Sequence, residues 1–273
     1  MKVGVIQLSS GEDKLANISV ALKYIESAAA KGAELIVLPE YVDYLGEDHK
    51  RLEISEDIPG ETSKLFSEKA KELGVYLHCG SIMEKKDDKK VYNTSLLFDR
   101  DGEIIAKYRK IHLYDAEIGD KVSEKESDFV EAGNDIVTAE TEFGRVGLTI
   151  CYDVRFPELF RSLTLKGAKL IFVPASFPYY TGSSHWEVLL RARAIENQCY
   201  IVAAAQVGVA NPDRILYGNS MIIDPWGTVI ARANVNEDIV IAELDDVYLN
   251  ELRKNLPNLQ NRRPDTYDLQ GAK

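Results

Sequence analysis

The stretch GRVGLTICYDVRFPELF, Gly144 to Phe160, decides the fold. Val146, Leu148 and Ile150 read as a buried strand. Pro157 suits the first turn of a helix, where its missing N–H costs nothing. Leu159, Phe160 and Leu163 then give that helix an apolar face, and Gly167 is a natural stop. Cys151 falls where the strand turns into the helix. A thiol on such a turn lies near free backbone N–H groups, which suits a nucleophile beside an oxyanion site. Taken alone, the same cysteine also reads as a buried structural residue.

Working outward, the chain repeats itself in order. KVGVIQ from Lys2 resembles RVGLTI from Arg145. KGAELIVLPEYVDYLG from Lys31 resembles KGAKLIFVPASFPYYTG from Lys166. YNTSLLFDRDGEIIAK from Tyr92 resembles YGNSMIIDPWGTVIAR from Tyr217. Each half therefore reads as strand, helix, strand, helix, strands and a hairpin. Leu15, Ile18, Leu22 and Ile25 mark one helical face, and Leu65, Phe66 and Leu73 a second. A Ser184–Glu187 capping box is expected to open a helix carrying Trp186, Leu190 and Ile195. The apolar runs Glu34 to Leu38, Val75 to Leu77, Leu170 to Val173 and Tyr200 to Ala205 read as strands covered on both faces. Two sheets between two helical layers, a four-layer α-β-β-α sandwich in the α/β class with an internal pseudo-two-fold repeat, satisfy this pattern. The polar linker from about Tyr114 to Phe143 is too long for an idle connection and is expected to be functional.

The chain has 273 residues, 45% hydrophobic and 28% charged, with net charge -11. That suffices for one large core, and a single domain over 1–273 is expected. The acidic balance argues against nucleic acid and anionic membranes as partners. No apolar run is long enough for a membrane helix. MKVGVIQLSS reads directly as a strand, without a signal peptide. The three widely spaced cysteines, Cys79, Cys151 and Cys199, suit a reducing compartment and show no metal-ligand spacing. The cytoplasm is the expected location, with no metal and no cofactor.

The repeat aligns Leu8 with Cys151 and Glu40 with Ala175, so the halves differ at strand ends, where chemistry is grafted onto a scaffold. Glu40 follows the apolar run Leu35 to Leu38 and Pro39. It reads as a general base or as an exposed loop carboxylate. Lys110, after the strand Ile104 to Lys107, reads as an oxyanion-side cation or as a solvated lysine. His112, between Ile111 and Leu113, reads as half-buried and structural, and His185 as a helix-start or pocket-rim residue.

LPE at Leu38 to Glu40, YRKIHLYD at Tyr108 to Asp115 and ICYDVRFPEL at Ile150 to Leu159 together resemble the nitrilase superfamily of carbon–nitrogen hydrolases. That resemblance implies Glu40 as base, Lys110 as cation and Cys151 as nucleophile, in an α-β-β-α sandwich that pairs into dimers. It also implies Glu126, in SEKESDFVEAG, as a second glutamate at the site. HWEVLLRARAIENQCYIVAAAQVG, YGNSMIIDPWGTVIAR and LPNLQNRRPDTYDL are similar to one branch, which holds deaminated-glutathione amidase and omega-amidase. YVDYLGE after Glu40, with no SPYG, favours the former. The implied reaction cleaves the terminal carboxamide of a small acid such as deaminated glutathione to acid and ammonia through a Cys151 thioester. The Tyr152 N–H would help hold the oxyanion. Arg155 would clamp a substrate carboxylate or make a structural salt bridge with Glu158 or Asp153. Tyr44, Phe177 and Thr181 would form pocket walls, and the aromatics there read equally as core or dimer contacts; Tyr44 and the stretch Pro178 to Thr181 hold equivalent places in the two repeats. The tail from about 255 to 273 is expected to pack across a homodimer or higher homo-oligomer. The rivals are an omega-amidase acting on 2-oxoglutaramate or 2-oxosuccinamate, a hydrolase of N-carbamoyl compounds, a Cys–His hydrolase, and a non-catalytic scaffold.

Overall fold

Apolar runs with both faces buried form parallel strands, because only the centre of a covered sheet can absorb them. In the computed structural model, which describes residues 1–119, 122–211 and 214–266, Lys2–Gln7, Leu35–Val37 and Tyr76–His78 pair in parallel. Gly144–Leu148, Leu170–Phe172 and Tyr200–Ala203 do the same. Val91–Phe98 then adds antiparallel to the first set and Met221–Ile223 to the second. Ile104–Arg109 and Val229–Arg232 follow as hairpin partners. The duplication read from the sequence is thus a duplication of topology.

Among the described residues these strands, with Ile82–Lys85 beside Val91–Phe98 and one edge strand on each sheet, build one seven-stranded and one six-stranded sheet. Their outer edges are exchanged. Thr138–Thr141, which ends the first half, pairs with Gly144–Leu148 of the second sheet. Asp238–Glu243, which ends the second half, pairs with Lys2–Gln7 of the first.

Helices Lys14–Ala30 and Glu61–Leu73 cover the first sheet, with Ile18, Ile25 and Phe66 packed on Ile36 and Leu77. Helices Pro157–Leu165 and Tyr179–Asn197 cover the second through Leu159, Phe160, Trp186 and Leu190. Between the sheets, Val3, Val5, Leu35 and Val37 meet Leu148, Leu170 and Phe172 in one core. The α-β-β-α order follows. The repeated glycine in KVGVIQ and RVGLTI has a shared purpose. A Cβ on Gly4 would stand 3.0 Å from the Ala33 Cβ, and one on Gly147 would stand 3.2 Å from Leu163 side-chain atoms, so each glycine lets packed neighbours approach its sheet closely.

Local chemistry sets the helix ends. Asp13 accepts from the Ala16 N–H at 3.0 Å, and Pro157 opens its helix. Gly74 takes the left-handed cap with φ +63. Some expectations need correction. The helix expected to begin at Ser184 starts at Tyr179, so Ser184, His185 and Glu187 lie inside it and no capping box forms there. Pro178 supplies the boundary, since it cannot donate into a preceding turn. Leu15 is 71% exposed and Ile195 is 46% exposed. Both lie off the buried faces they were assigned to. Among the described residues no helix is long and apolar enough to cross a membrane. The tail assignment falls partly on residues 267–273, outside the described residues.

Candidate active site

The site sits where strand ends of both sheets converge. Glu40 follows Leu35–Val37, Lys110 follows Ile104–Arg109, and Cys151 follows Gly144–Leu148. All three side chains are buried. The long linker forms a hairpin, Asp115–Ile118 with Val122–Lys125. A single turn, Glu126–Asp128, follows it and delivers Glu126 to the same place.

Lys110 Nζ lies 3.0 Å from Glu40 Oε1 and 2.8 Å from Glu126 Oε2. Asn93 Nδ2 donates to Glu40 Oε1 at 2.9 Å and to Glu126 Oε1 at 3.3 Å. The Ser176 N–H donates to Glu40 Oε2 at 2.8 Å, and the Tyr114 N–H donates to Glu126 Oε2 at 2.7 Å. Burial opposes the Lys110 charge, but Glu126 and Glu40 outweigh it, so its pKa stands well above the ordinary lysine value. Burial also opposes ionisation of Glu126. Lys110 reverses that and holds the carboxyl at about 2. Lys110 is therefore a fixed cation between two carboxylates.

Cys151 has φ +47, a left-handed backbone that costs a residue with a Cβ about 1–3 kcal/mol. The turn is held from below. The Cys151 N–H donates to Pro174 O at 2.8 Å. Asp153 accepts from the Ile150 N–H at 2.8 Å, from Tyr108 OH at 2.6 Å and from the His112 N–H at 3.1 Å. Burial, with Glu40 adding to it, pushes the Cys151 thiol well above its usual range, and Lys110 opposes them. The resting sulfur is a thiol with a carboxylate and an ammonium beside it.

His112 is spoken for. Its Nδ1 lies 2.7 Å from Asp153 Oδ1 and its ring stacks on Phe156 with centroids 3.6 Å apart. His185 Nδ1 meets Arg155 Nη1 at 3.2 Å. Among the described residues Arg155 has no carboxylate partner, so the salt bridge to Glu158 or Asp153 does not form. Its guanidinium lies 5.2 Å from the Phe177 ring centroid and 5.7 Å from that of Tyr152. Tyr44 is not a wall of the cleft. It is buried with its hydroxyl donating to Glu47 O at 3.1 Å. Phe177 packs on Trp186. Thr181 is buried, with its hydroxyl donating to Pro178 O at 3.4 Å. The cleft itself is narrow, about 20 Å³, room for one water. Its walls include Tyr41, Arg51, Tyr114, Glu124 and Arg214 beside Glu40, Lys110, Glu126 and Cys151. The larger hollows, including a groove of about 770 Å³ between helices Lys14–Ala30 and Glu61–Leu73, hold no thiol. Among the described residues no three metal-ligating side chains converge.

Sequence reasoning missed Asn93, Tyr41, Arg51 and Tyr114. Asn93 had a signal, the polar run Asn93-Thr94-Ser95 inside a strand that is otherwise apolar or aromatic. The carbon-nitrogen hydrolase family model matches residues 2–254. The chain belongs to the carbon-nitrogen hydrolase family. This carbon-nitrogen hydrolase is 41% identical over 271 residues to deaminated glutathione amidase of Mus musculus, covering 97% of this chain and 84% of the relative. It is 38% identical over 272 residues to omega-amidase NIT2 of Xenopus tropicalis, covering 100% and 98%. It is also similar to the solved NitFhit protein of C. elegans, with TM-score 0.92 and 41% identity, covering 98% of this chain and 66% of that one. The hydrolase thus spans about two thirds of the NitFhit fusion. The Saccharomyces cerevisiae Nit3 structure, a member of the nitrilase superfamily, matches with TM-score 0.87 and 33% identity, covering 98% and 97%.

Proposed function

We propose that this carbon-nitrogen hydrolase cleaves linear amides of small acids through a thioester on Cys151. The observation that carries the reading is the buried Lys110 ammonium shared by Glu40 and Glu126 beside a strained cysteine turn. Glu40 takes the thiol proton as sulfur attacks the amide carbon. The tetrahedral oxyanion forms against Lys110 and the Tyr152 N–H, which lies in the first turn of Cys151–Arg155. Glu40 returns the proton to the leaving nitrogen, and the C–N bond breaks to leave the thioester. Water then attacks, giving its proton to Glu40 and its oxygen to the acyl carbon, and the thiol re-forms. Glu126 holds Lys110 in place throughout.

Arg155, with no carboxylate partner among the described residues and close to the cysteine turn, clamps the substrate carboxylate, with Phe177 beneath it and Thr181 as a further wall. Deaminated glutathione is the favoured substrate, and the name of the mouse relative supports it. Its nitrogen leaves as the amine of the remaining dipeptide, so ammonia is the product only of primary amides. The second reading is a primary amide such as 2-oxoglutaramate, supported by end-to-end similarity to the omega-amidase. We further place the protein in the cytoplasm. It acts as one domain in a homodimer or higher homo-oligomer, with the tail beyond about 255 on the partner.

The deciding experiment measures amine release from deaminated glutathione and ammonia release from 2-oxoglutaramate, with Cys151→Ala as control. Cys151-dependent turnover that prefers deaminated glutathione is expected. Preference for 2-oxoglutaramate selects the second reading, and Cys151-independent turnover overturns both.

A further inference from the structure

Glu126 has partners beyond Lys110 that no step of the reaction uses. Tyr41 OH donates to Glu126 Oε1 at 2.5 Å. Arg51 Nη1 donates to Tyr41 OH at 3.0 Å, and the Arg51 guanidinium stands 4.8 Å from the Tyr41 ring centroid. Arg51 Nη2 pairs with Asp48 at 2.5 Å. Tyr41 is 3% exposed and Arg51 5%. Tyr41 also carries φ +56, a conformation that glycine or asparagine takes at lower cost. Its backbone is held by groups that would serve any residue there: its N–H donates to Ser81 Oγ at 3.0 Å, and Gln206 Nε2 reaches its carbonyl at 3.4 Å. The tyrosine side chain is what distinguishes the position.

We propose that Arg51 and Tyr41 are positioning residues, a relay that keeps Glu126 ionised and its carboxylate turned to Lys110, so that Glu40 alone carries the catalytic proton. The proposal rests on the reading of Glu40, Lys110 and Cys151 as the reacting set. Two carboxylates share one ammonium, and a proton resting on Glu126 would loosen its hold on Lys110. The relay removes that symmetry. Glu126 accepts from Tyr41 OH, the Tyr114 N–H, Asn93 and Lys110. Glu40 accepts from Asn93, Lys110 and the Ser176 N–H. The charged or titratable groups facing Glu126 are Lys110, Glu40 across it, Tyr41 and Arg51 with Asp48 behind it, and Cys151, Tyr114, Glu124 and Arg214 share the cleft. The Tyr41 phenol keeps its proton, because burial pushes it well above its usual range. The relay donates a hydrogen bond and moves no proton.

The test follows alkylation of Cys151 by chloroacetamide against pH in the full-length protein, with Cys151→Ala as blank, alongside kcat and KM on the preferred amide. Tyr41→Phe is expected to slow alkylation and lower kcat by about tenfold to a hundredfold, the loss of one hydrogen bond to a buried charge, with KM unchanged. Its acid limb moves to higher pH, because Glu126 without the donor takes up a proton sooner. Arg51→Met reproduces this, Arg51→Lys restores most of it, and Arg51→Met added to Tyr41→Phe costs little more. A Tyr41→Phe protein with a lower urea midpoint but an unmoved acid limb overturns the relay, and so does full additivity of the two variants. If wild-type Cys151 reacts no faster than in Glu40→Gln, the reading of the reacting set fails first.

Discussion

The Ser176 N–H donates to Glu40 Oε2 at 2.8 Å across 136 residues of chain. A carboxylate at a strand end of the first half is held by the backbone of the second. With Oε1 engaged by Asn93 and Lys110, both oxygens of the base are fixed before substrate arrives. That is preorganisation, in which the binding geometry is set by folding rather than by the reaction.

Glu40→Gln keeps the shape but turns an N–H₂ toward one of these donors. Turnover is expected to fall about 10²–10⁴-fold, the span of a lost general base. No acyl-enzyme should be trapped on Cys151 by rapid quench and mass spectrometry. Turnover within tenfold of wild type would exclude Glu40 as base.

Lys110→Met leaves two buried carboxylates facing each other. Removing one partner of a buried ion pair costs about 3–5 kcal/mol, to be read as a lower urea midpoint at pH 7. Adding Glu126→Gln should recover part of that stability without recovering activity, because the cation is still missing. An unchanged midpoint in Lys110→Met would contradict the buried-cation account.

Asp43 is fully buried and accepts from the Tyr44 and Met83 N–H groups, each at 3.0 Å. Burial raises its carboxyl from 3.8 to about 6. The folded state therefore binds this proton more tightly than the unfolded chain. The contribution is complete below about 3.8 and is lost as pH rises through about 6, amounting to about 3 kcal/mol. His78 slopes the other way. Burial lowers it to about 3, so its neutral form favours folding above 6.5 and that advantage is lost as pH falls toward 3. Urea titrations of wild type and Asp43→Asn at pH 4, 5, 6 and 7 separate the two. The difference between the proteins should change across pH 4–6, and a flat difference would rule out the Asp43 contribution.

Replacing both histidines, His112→Asn with His185→Gln, should leave thioester formation intact. His112 is committed to Asp153 and Phe156, and its loss should cost about 1–2 kcal/mol of stability. Turnover should stay within about tenfold of wild type. Disappearance of the acyl-enzyme in a folded double variant would revive a Cys–His mechanism.

The layers were legible because burial on both faces writes itself into continuous apolar runs, such as Leu35 to Leu38 and Leu170 to Val173. The cysteine turn was legible because Pro157 and Gly167 mark its helix. Glu126 was not legible from spacing, since one acid in a charged linker looks like any other until the hairpin Asp115–Ile118 and Val122–Lys125 places it. Tyr41 and Arg51 were hidden for another reason. Their importance lies in a left-handed φ and in contact with Glu126, 85 residues from Tyr41 along the chain, and neither leaves a periodic trace. Tyr44 reads as a wall because it occupies the place in the first repeat that Pro178 to Thr181 hold in the second, but its ring is buried and its hydroxyl donates to Glu47 O, which fits the core alternative.

The exchanged edge strands set an order of events during synthesis. Lys2–Gln7 is made before the other strands of both sheets, but its outer neighbour Asp238–Glu243 is made only after them. Until then one edge of the first sheet is an open template for any other strand. A chain arrested after its first half would therefore carry a complete set of parallel strands and an unsealed border, and would be drawn to other nascent copies. Folding of the first half is insured only by the arrival of the second.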